Sequence, residues 1–139
     1  MKLILAAALA ALLAPLPAAA QDWYRISDSD IGVQYVDLAS IKPDGDYLVA
    51  SEFMALKTPM RGFSFVATTI RYDCKARLVG LVRMEAFKSK TESTGPIPDA
   101  EQPLEAVTAG SPGDAALTFV CNVDRKGGVR VQDPWTDKP

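Results

Sequence analysis

Carboxylates are the first residues in this sequence that could do chemistry. A glycosidase-type hydrolase uses one carboxyl group as a general acid and a second as a base or nucleophile, on opposite sides of the bond it cleaves. The candidates for such a pair are Glu52, Glu85, Glu101 and Glu105. Glutamates on strands that face solvent are more commonly solubilising groups. We therefore predict no catalytic residue and keep a small hydrolase with a carboxylate pair as an alternative.

The 139 residues contain no histidine, which narrows the remaining chemistry. Histidine is the commonest general base and the commonest metal ligand, so a serine–histidine triad and a histidine-based zinc site are both excluded. Asp28, Asp30 and Gly32 are similar to the start of a calcium loop, but the carboxylate that closes such a loop is missing. A solvated turn explains them better, and we predict neither a metal nor a cofactor.

The charge balance does not point to nucleic acid. Fifteen basic residues stand against seventeen acidic ones, for a net charge of −2. A nucleic-acid-binding domain normally carries a clear excess of basic residues. One locally basic stretch contains Lys75, Arg77, Arg83, Lys88 and Lys90. Asp73 and Glu85 interrupt this stretch, so we interpret it as a solvated face.

The first twenty residues have the pattern of a secretory signal peptide. Lys2 gives a positive start, residues 3–13 are apolar, and Ala18 and Ala20 are the small residues that precede a cleavage site. The apolar run is shorter than the ~20 residues that a membrane span needs. We predict cleavage after Ala20, export to the periplasm or the cell surface, and no transmembrane segment in the mature chain.

Export changes the interpretation of the two cysteines, Cys74 and Cys121. An even number of cysteines in an exported protein favours a disulfide bond. Two buried thiols or a redox pair are the alternatives, but the Cys-x-x-Cys spacing of redox motifs is absent. We predict a Cys74–Cys121 disulfide, which makes these two cysteines the only site residues that we name.

Three segments that must form the framework follow one another with short connections. Residues 46–56, 63–73 and 77–87 alternate side chains in the manner of β-strands, and an opening strand region covers residues 22–36. Short connections between consecutive strands indicate antiparallel hairpins, and therefore a meander. Residues 89–102 are polar, contain Gly95, Pro96 and Pro98, and are predicted to be an exposed loop.

A helix start follows this loop. Ser111 at the N-cap, Pro112 at the first helical position and Asp114 in the first turn predict a short helix that runs to about Val123. Leu117 and Val120 lie on one helical face and would cover one face of the sheet. The glycines at 127 and 128 end the ordered part, and residues 126–139 are predicted to be a flexible tail.

Several short motifs give the chain a resemblance to a known family. They are Tyr35-Val36-Asp37, Ser40-Ile41, Arg71-Tyr72-Asp73-Cys74, Gly110-Ser111-Pro112 and Phe119-Val120-Cys121. In this order they resemble the surface-adhesin protein E-like family of exported bacterial proteins, over about residues 23–122. The resemblance implies an antiparallel sheet of about six strands, with a C-terminal helix tethered through the two cysteines. The order Gly110-Ser111-Pro112 departs from the family pattern, and family members differ around residues 89–102.

These observations together predict an α+β fold with a domain at residues 21–125. The function they indicate is that of an exported, non-catalytic binding module. The resemblance implies a protein partner, either a host extracellular protein or another protein of the bacterial envelope. A small periplasmic hydrolase and a structural component of the envelope are the alternatives. The ligand and the oligomeric state do not follow from the sequence.

Overall fold

Long antiparallel strands dominate the computed structural model, which describes residues 20–137. The strands are β1 (Trp23–Asp28), β2 (Gly32–Asp37), β3 (Lys42–Asp44), β4 (Tyr47–Met60), β5 (Phe63–Asp73), β6 (Leu78–Ser89), β7 (Glu92–Pro96), β8 (Glu105–Ala106) and β9 (Val129–Val131). A 3-10 turn (Leu38–Ser40) follows β2, and one helix, α1 (Pro112–Cys121), precedes β9. The predicted signal peptide lies outside the described residues, apart from Ala20.

The strands form one sheet in the order β7-β6-β5-β4-β2-β1-β9, and each pairing is antiparallel. β3 lies beside β4, and β8 lies beside β6. This arrangement confirms the α+β fold and the meander. Within residues 20–137 the sheet has nine strands instead of about six, and the three additional ones (β3, β8 and β9) contain only two or three residues each.

The hairpin between β4 and β5 shows how turn chemistry sets the register. Met60 pairs with Phe63, so Arg61 and Gly62 form a two-residue turn. Both turn residues have positive φ, 51° and 84°, as the type I′ geometry of tight hairpins requires. Because the turn is so short, β4 continues through the predicted connection as far as Met60.

One face of the sheet, the helix face, carries Val36, Ala50 and Tyr72 beneath α1. The helix covers this face with Leu117 and Phe119, among other buried side chains. The predicted helix start is confirmed, since Ser111 Oγ accepts a hydrogen bond from the backbone N–H of Asp114. Burial of this apolar stripe on the sheet supplies the stability that a ten-residue helix lacks alone in water.

The opposite face, the tryptophan face, has its own buried cluster of Val33, Tyr35 and Phe53. Trp23 and Trp135 pack against this cluster. Two apolar faces on one sheet explain why both sets of alternating positions in the long strands contain large apolar residues.

The segment predicted as an exposed loop contains a strand. β7 pairs with the end of β6 through Ser93 and Glu92. Most of its residues are exposed, because β7 lies at the edge of the sheet with neither face covered. A strand exposed on both faces has no alternation of apolar and polar residues, so periodicity could not reveal it.

The C-terminal segment also differs from the predicted flexible tail. Residues 129–131 form β9 and extend the sheet beside β1. Pro134 is buried, and Trp135 packs on the tryptophan face. Two glycines and many polar residues are the local signals of a tail. They carry no information about contacts with β1, β4, β5 and β6, which lie far earlier in the sequence.

Candidate functional site

A groove crosses the tryptophan face of the sheet. Its first part is a cavity of about 230 Å³. It is lined by Gln21, Trp23, Ser51, Glu52, Phe53, Ala67, Thr68, Thr69, Arg83, Glu85 and Trp135. A second cavity of about 560 Å³ shares Gln21 and both tryptophans with the first, and continues toward Lys90 and Asp133. We call the two cavities together the groove.

The groove owes its depth to the pairing register of the three long strands. Phe53 pairs with Ala67, and Ala67 pairs with Glu85, so the three side chains form one row across β4, β5 and β6. Paired residues project on the same face of a sheet. The methyl group of Ala67 is much smaller than the side chains on either side of it. The row is therefore low in the middle, and this low point forms the floor of the first cavity.

The next row supplies polar groups to the same floor. Ser51 pairs with Thr69, and Thr69 pairs with Arg83. These three residues lie two positions from the previous row on their own strands and project on the same face. The floor thus carries two hydroxyl groups and a guanidinium group beside the low point at Ala67.

An aromatic wall closes one side of the groove. The Trp135 ring lies 4.6 Å from the Phe53 ring, 5.0 Å from Phe65 and 5.2 Å from Phe87, measured between centroids. Trp23 contacts Phe53 from another direction, at 6.1 Å. Both tryptophans are half-buried, so each is held by packing while part of its ring remains accessible.

Each cation that lines the groove has a carboxylate beside it. Arg83 Nη2 lies 3.5 Å from Glu85 Oε2, and Lys90 Nζ lies 2.6 Å from Asp133 Oδ2. Ser93 Oγ also donates a hydrogen bond of 2.6 Å to Glu85 Oε1. The hydrogen bond from Lys90 lowers the pKa of the Asp133 carboxyl group. The groove consequently offers both hydrogen-bond donors and acceptors, with opposite charges compensated.

The four candidate glutamates occupy separate places. Glu52 pairs with Thr68, which pairs with Met84, so alternation places the adjacent Glu85 on the other face of the sheet. Glu101 Oε1 lies 3.7 Å from Arg71 Nη1, and Glu105 is exposed on the short strand β8. Glu52 and Glu85 both line the first cavity, but their side chains project on opposite faces of the sheet, so their carboxyl groups do not face each other across it.

Burial shifts the pKa of the Glu52 carboxyl group. The Glu52 side chain is buried on the helix face, where Oε2 accepts a hydrogen bond of 2.7 Å from Gln34 Nε2. Burial raises the pKa of Glu52 to about 7, although the hydrogen bond from Gln34 favours the charged form. A raised carboxyl pKa is typical of general acids. The hydrogen-bond partner of the Glu52 carboxyl group is the buried amide of Gln34, so this carboxyl group contacts the interior of the fold.

The other predicted clusters are part of the protein surface. Asp28 Oδ1 forms an ion pair of 2.6 Å with Lys57, and the β1–β2 turn closes through a hydrogen bond from the N–H of Ser29 to the carbonyl of Gly32. Among residues 20–137, no group of three or more cysteine, aspartate or glutamate side chains is placed to hold a metal ion. Within the basic stretch, Arg77 contacts Asp114 and Lys88 contacts Glu92.

The two cysteines form a disulfide bond, with their Cα atoms 5.5 Å apart. Cys74 directly follows β5, and Cys121 is the last residue of α1. The bond thus joins the end of the helix to the end of a central strand. Together with the sheet and the helix, it completes the architecture that the resemblance implies.

The comparison with family models identifies the family. Residues 23–122 match the model described as surface-adhesin protein E. The chain belongs to the surface-adhesin protein E family. The suspected resemblance is therefore confirmed, over the range that the motifs indicated. The comparison with curated proteins finds no match, and neither does the comparison with solved structures.

Membership in the surface-adhesin protein E family indicates a surface adhesin-like binding protein. The matched range contains both cysteines and most of the lining of the first cavity, but it ends before the residues at 132–135 that line the second cavity. Within residues 20–137, the helix is too short to cross a membrane. No motif or periodicity in the sequence marks Trp23 or Trp135 as residues of a common site. Their shared lining of one groove depends on long-range packing that no local pattern reveals.

Proposed function

We propose that the chain is an exported, non-catalytic binding module, and that the groove on the tryptophan face holds a protein partner. The observation that carries this proposal is the groove itself. It combines half-buried tryptophans with polar groups on rigid strands. Aromatic residues that present an apolar body and a polar edge are enriched at binding surfaces. Family membership supports the same choice, because it indicates adhesin-like binding.

The positions of the glutamates favour binding over hydrolysis. Of the four candidate glutamates, only Glu85 projects its carboxylate into the groove, where Ser93 and Arg83 contact it. The other carboxylate that lines the groove, that of Asp133, belongs to the second cavity and contacts Lys90. A hydrolase with a carboxylate pair needs a second carboxyl group across the bond to be cleaved. A broad screen for hydrolase activity tests the non-catalytic part of the proposal. Hydrolysis that is lost when Glu85, or any of the other three glutamates, is replaced by glutamine would overturn it.

Binding is tested with the protein as the cell exports it. The immobilised protein is exposed to purified host extracellular proteins and, separately, to purified envelope proteins. We expect saturable binding to a member of one set, which Ala67→Leu weakens at least tenfold by filling the groove. Ala76→Leu adds the same side chain at an exposed turn position and is the matched control. No saturable binding, or equal binding by Ala67→Leu and the wild type, would contradict the proposal.

Export and location need separate measurements. Mass spectrometry of the protein from the periplasm or the cell surface is expected to show a mature chain that begins at Gln21. A membrane-impermeant biotin reagent applied to intact cells separates a host partner from an envelope partner. Labelling supports host adhesion, while protection from the reagent supports a partner in the periplasm. Retention of residues 1–20 would contradict the predicted cleavage.

A further inference from the structure

The groove has a hollow and a set of polar side chains that packing of the sheet does not require. A leucine or valine at position 67 would fill the low point between Phe53 and Glu85, as apolar residues do elsewhere on the tryptophan face. The sequence instead places Ala67 there, beside the hydroxyl-bearing pair Ser51 and Thr69. A hollow of this kind is suited to a ligand that offers both apolar surface and hydroxyl groups.

The two tryptophans provide the apolar contact. They are the only tryptophans of the sequence, and both line both cavities of the groove. The face of an aromatic ring carries partial negative charge, and polarised C–H groups bind to it favourably. A pyranose ring presents such C–H groups on its flatter face. Sugar rings can therefore pack against Trp23 and Trp135 while their hydroxyl groups point elsewhere.

The floor provides the polar contacts. Each hydroxyl of Ser51 and Thr69 can donate one hydrogen bond and accept others, and Arg83 and Glu85 add donors and acceptors. A sugar hydroxyl also donates and accepts, so it matches such a mixed surface. Because these four side chains project from paired strands, their directions are set by the sheet before any ligand arrives. Preorganised groups bind with a smaller entropy cost.

The charges indicate that the ligand is neutral. The ion pairs Arg83–Glu85 and Lys90–Asp133 leave each of these two cations beside a carboxylate. An acidic ligand would have to displace these carboxylates or lie next to them, which costs free energy. An uncharged sugar can instead accept from the cations and donate to the carboxylates without separating the pairs.

The sizes of the cavities fit a short glycan. The first, at about 230 Å³, is smaller than the ~300–1,000 Å³ of sites for drug-sized ligands, which favours a single ring there. The second, at about 560 Å³, adjoins it at the two tryptophans and has room for further units. We infer that the groove binds a neutral pyranose sugar at the end of a glycan carried by the protein partner. This inference rests on the proposed function, since it names what that partner presents to the groove.

Tryptophan fluorescence tests the inference directly, because both emitters line the groove. The full exported protein is titrated with neutral monosaccharides and short neutral oligosaccharides. We expect a saturable change in emission with at least one of them. Ala67→Leu is expected to raise the apparent Kd at least tenfold, whereas Ala76→Leu leaves it within twofold. Thr69→Val, which removes a hydroxyl at constant shape, is a second variant in case Ala67→Leu does not fold, and it is expected to weaken binding severalfold.

Removal of the glycan distinguishes this inference from the proposed function. The protein partner is treated with glycosidases and bound again to the immobilised protein. Loss of binding, together with competition by the free neutral sugar, supports the inference. Undiminished binding of the deglycosylated partner would overturn the sugar while the binding function stands. Absence of a fluorescence change with every neutral sugar, or a stronger response to sulfated or sialylated ones, would also overturn it. Absence of any protein partner would count against the proposed function itself.

Discussion

The hydroxyl group of Tyr35 donates a hydrogen bond of 3.0 Å to Asp137 Oδ2, across 102 positions of sequence. Arg25 Nη1 lies 3.1 Å from the same oxygen. Tyr35 is completely buried, and this burial, together with the contact with Asp137, raises the pKa of its hydroxyl well above the ordinary value. The C-terminal segment is therefore fastened to the second strand of the sheet at a point inside the protein.

Replacement of Asp137 by alanine should lower the free energy of unfolding. The change leaves the Tyr35 hydroxyl without its acceptor and Arg25 without its partner, and a buried donor left in this way costs about 1–3 kcal/mol. Urea denaturation measures the loss. Asp124→Ala, which removes an exposed partner of Lys126, is the control and should change stability by less than about 0.5 kcal/mol. Equal midpoints for the two variants would show that the Tyr35–Asp137 contact does not stabilise the fold.

Loss of either cysteine should destabilise the protein by a similar amount. The bond closes a loop with a sequence separation of 47, for which the chain-entropy model gives roughly 4 kcal/mol. Cys74→Ser and Cys121→Ser are each expected to lose this stabilisation, and the double variant should add little to either. Thermal denaturation of the three variants, beside the reduced wild type, measures the effect. Strongly additive losses, or two free thiols in protein purified without a reductant, would contradict a shared disulfide.

Removal of the Tyr72 hydroxyl group should have a different effect on stability from removal of the Tyr35 hydroxyl group. The Tyr72 side chain is completely buried on the helix face, and its hydroxyl has no hydrogen-bond partner within residues 20–137. Tyr72→Phe removes a polar group whose burial is unfavourable, so the free energy of unfolding should stay constant or rise by about 1 kcal/mol. Tyr35→Phe removes the same atom from a bonded hydroxyl and should lower stability. A clear loss with Tyr72→Phe would indicate a partner for this hydroxyl, such as a buried water molecule.

Glu52 should make stability depend on pH between about 4.5 and 7. Burial raises its pKa from 4.5 in the reference state to about 7 in the fold, so the folded state binds the proton more tightly than the unfolded state does. The resulting stabilisation is fully present below the unfolded pKa and is lost as pH rises through the folded pKa. For a shift of this size the loss is roughly 3 kcal/mol.

The variant Glu52→Gln isolates this contribution. An amide at position 52 keeps an oxygen acceptor for Gln34 but does not titrate, so the fall in stability from pH 4.5 to 7.5 should become smaller than in the wild type. Glu105→Gln makes the same chemical change at an exposed position and should retain the wild-type slope. Urea midpoints across this pH range provide the measurement. If Glu52→Gln and the wild type have the same slope, Glu52 is not the titrating group.

The framework was predictable because it depends on local patterns. Alternation in the three long strands and the cap formed by Ser111 each describe a contact within a few residues or with the adjacent strand. β7 was not predicted because it is exposed on both faces, and a strand of this kind has no apolar periodicity. The order of the C-terminal segment was not predicted because its apolar contacts are with Phe53 and Phe65, far away in the sequence.

The groove was not predictable for a related reason. Ser51, Thr69 and Arg83 form a row only in one pairing register, and a shift by one residue would turn a strand's side chains to the other face. A bulge between Thr69 and Ile70 in the pairing of β5 with β6 modifies that register further. Trp135 lies beside the row because β9, a few residues before it, pairs with β1. The sequence shows that these residues are present, but only the assembled sheet brings them together in one groove.

The disulfide also divides the protein mechanically. A pull on the two ends of the chain passes directly from Cys74 to Cys121 through the covalent bond, so residues 75–120 lie outside the load path. This bypass withholds about 160 Å of extensible chain, at ~3.4 Å per residue over the sequence separation of 47. Because Trp23 pairs with Val131 in antiparallel strands, the two ends leave β1 and β9 on the same side and peel apart bond by bond. Under tension, the contacts of the C-terminal segment and the pairing of β1 with β9 lie in the load path, while the loop that carries β6 and the helix remains closed.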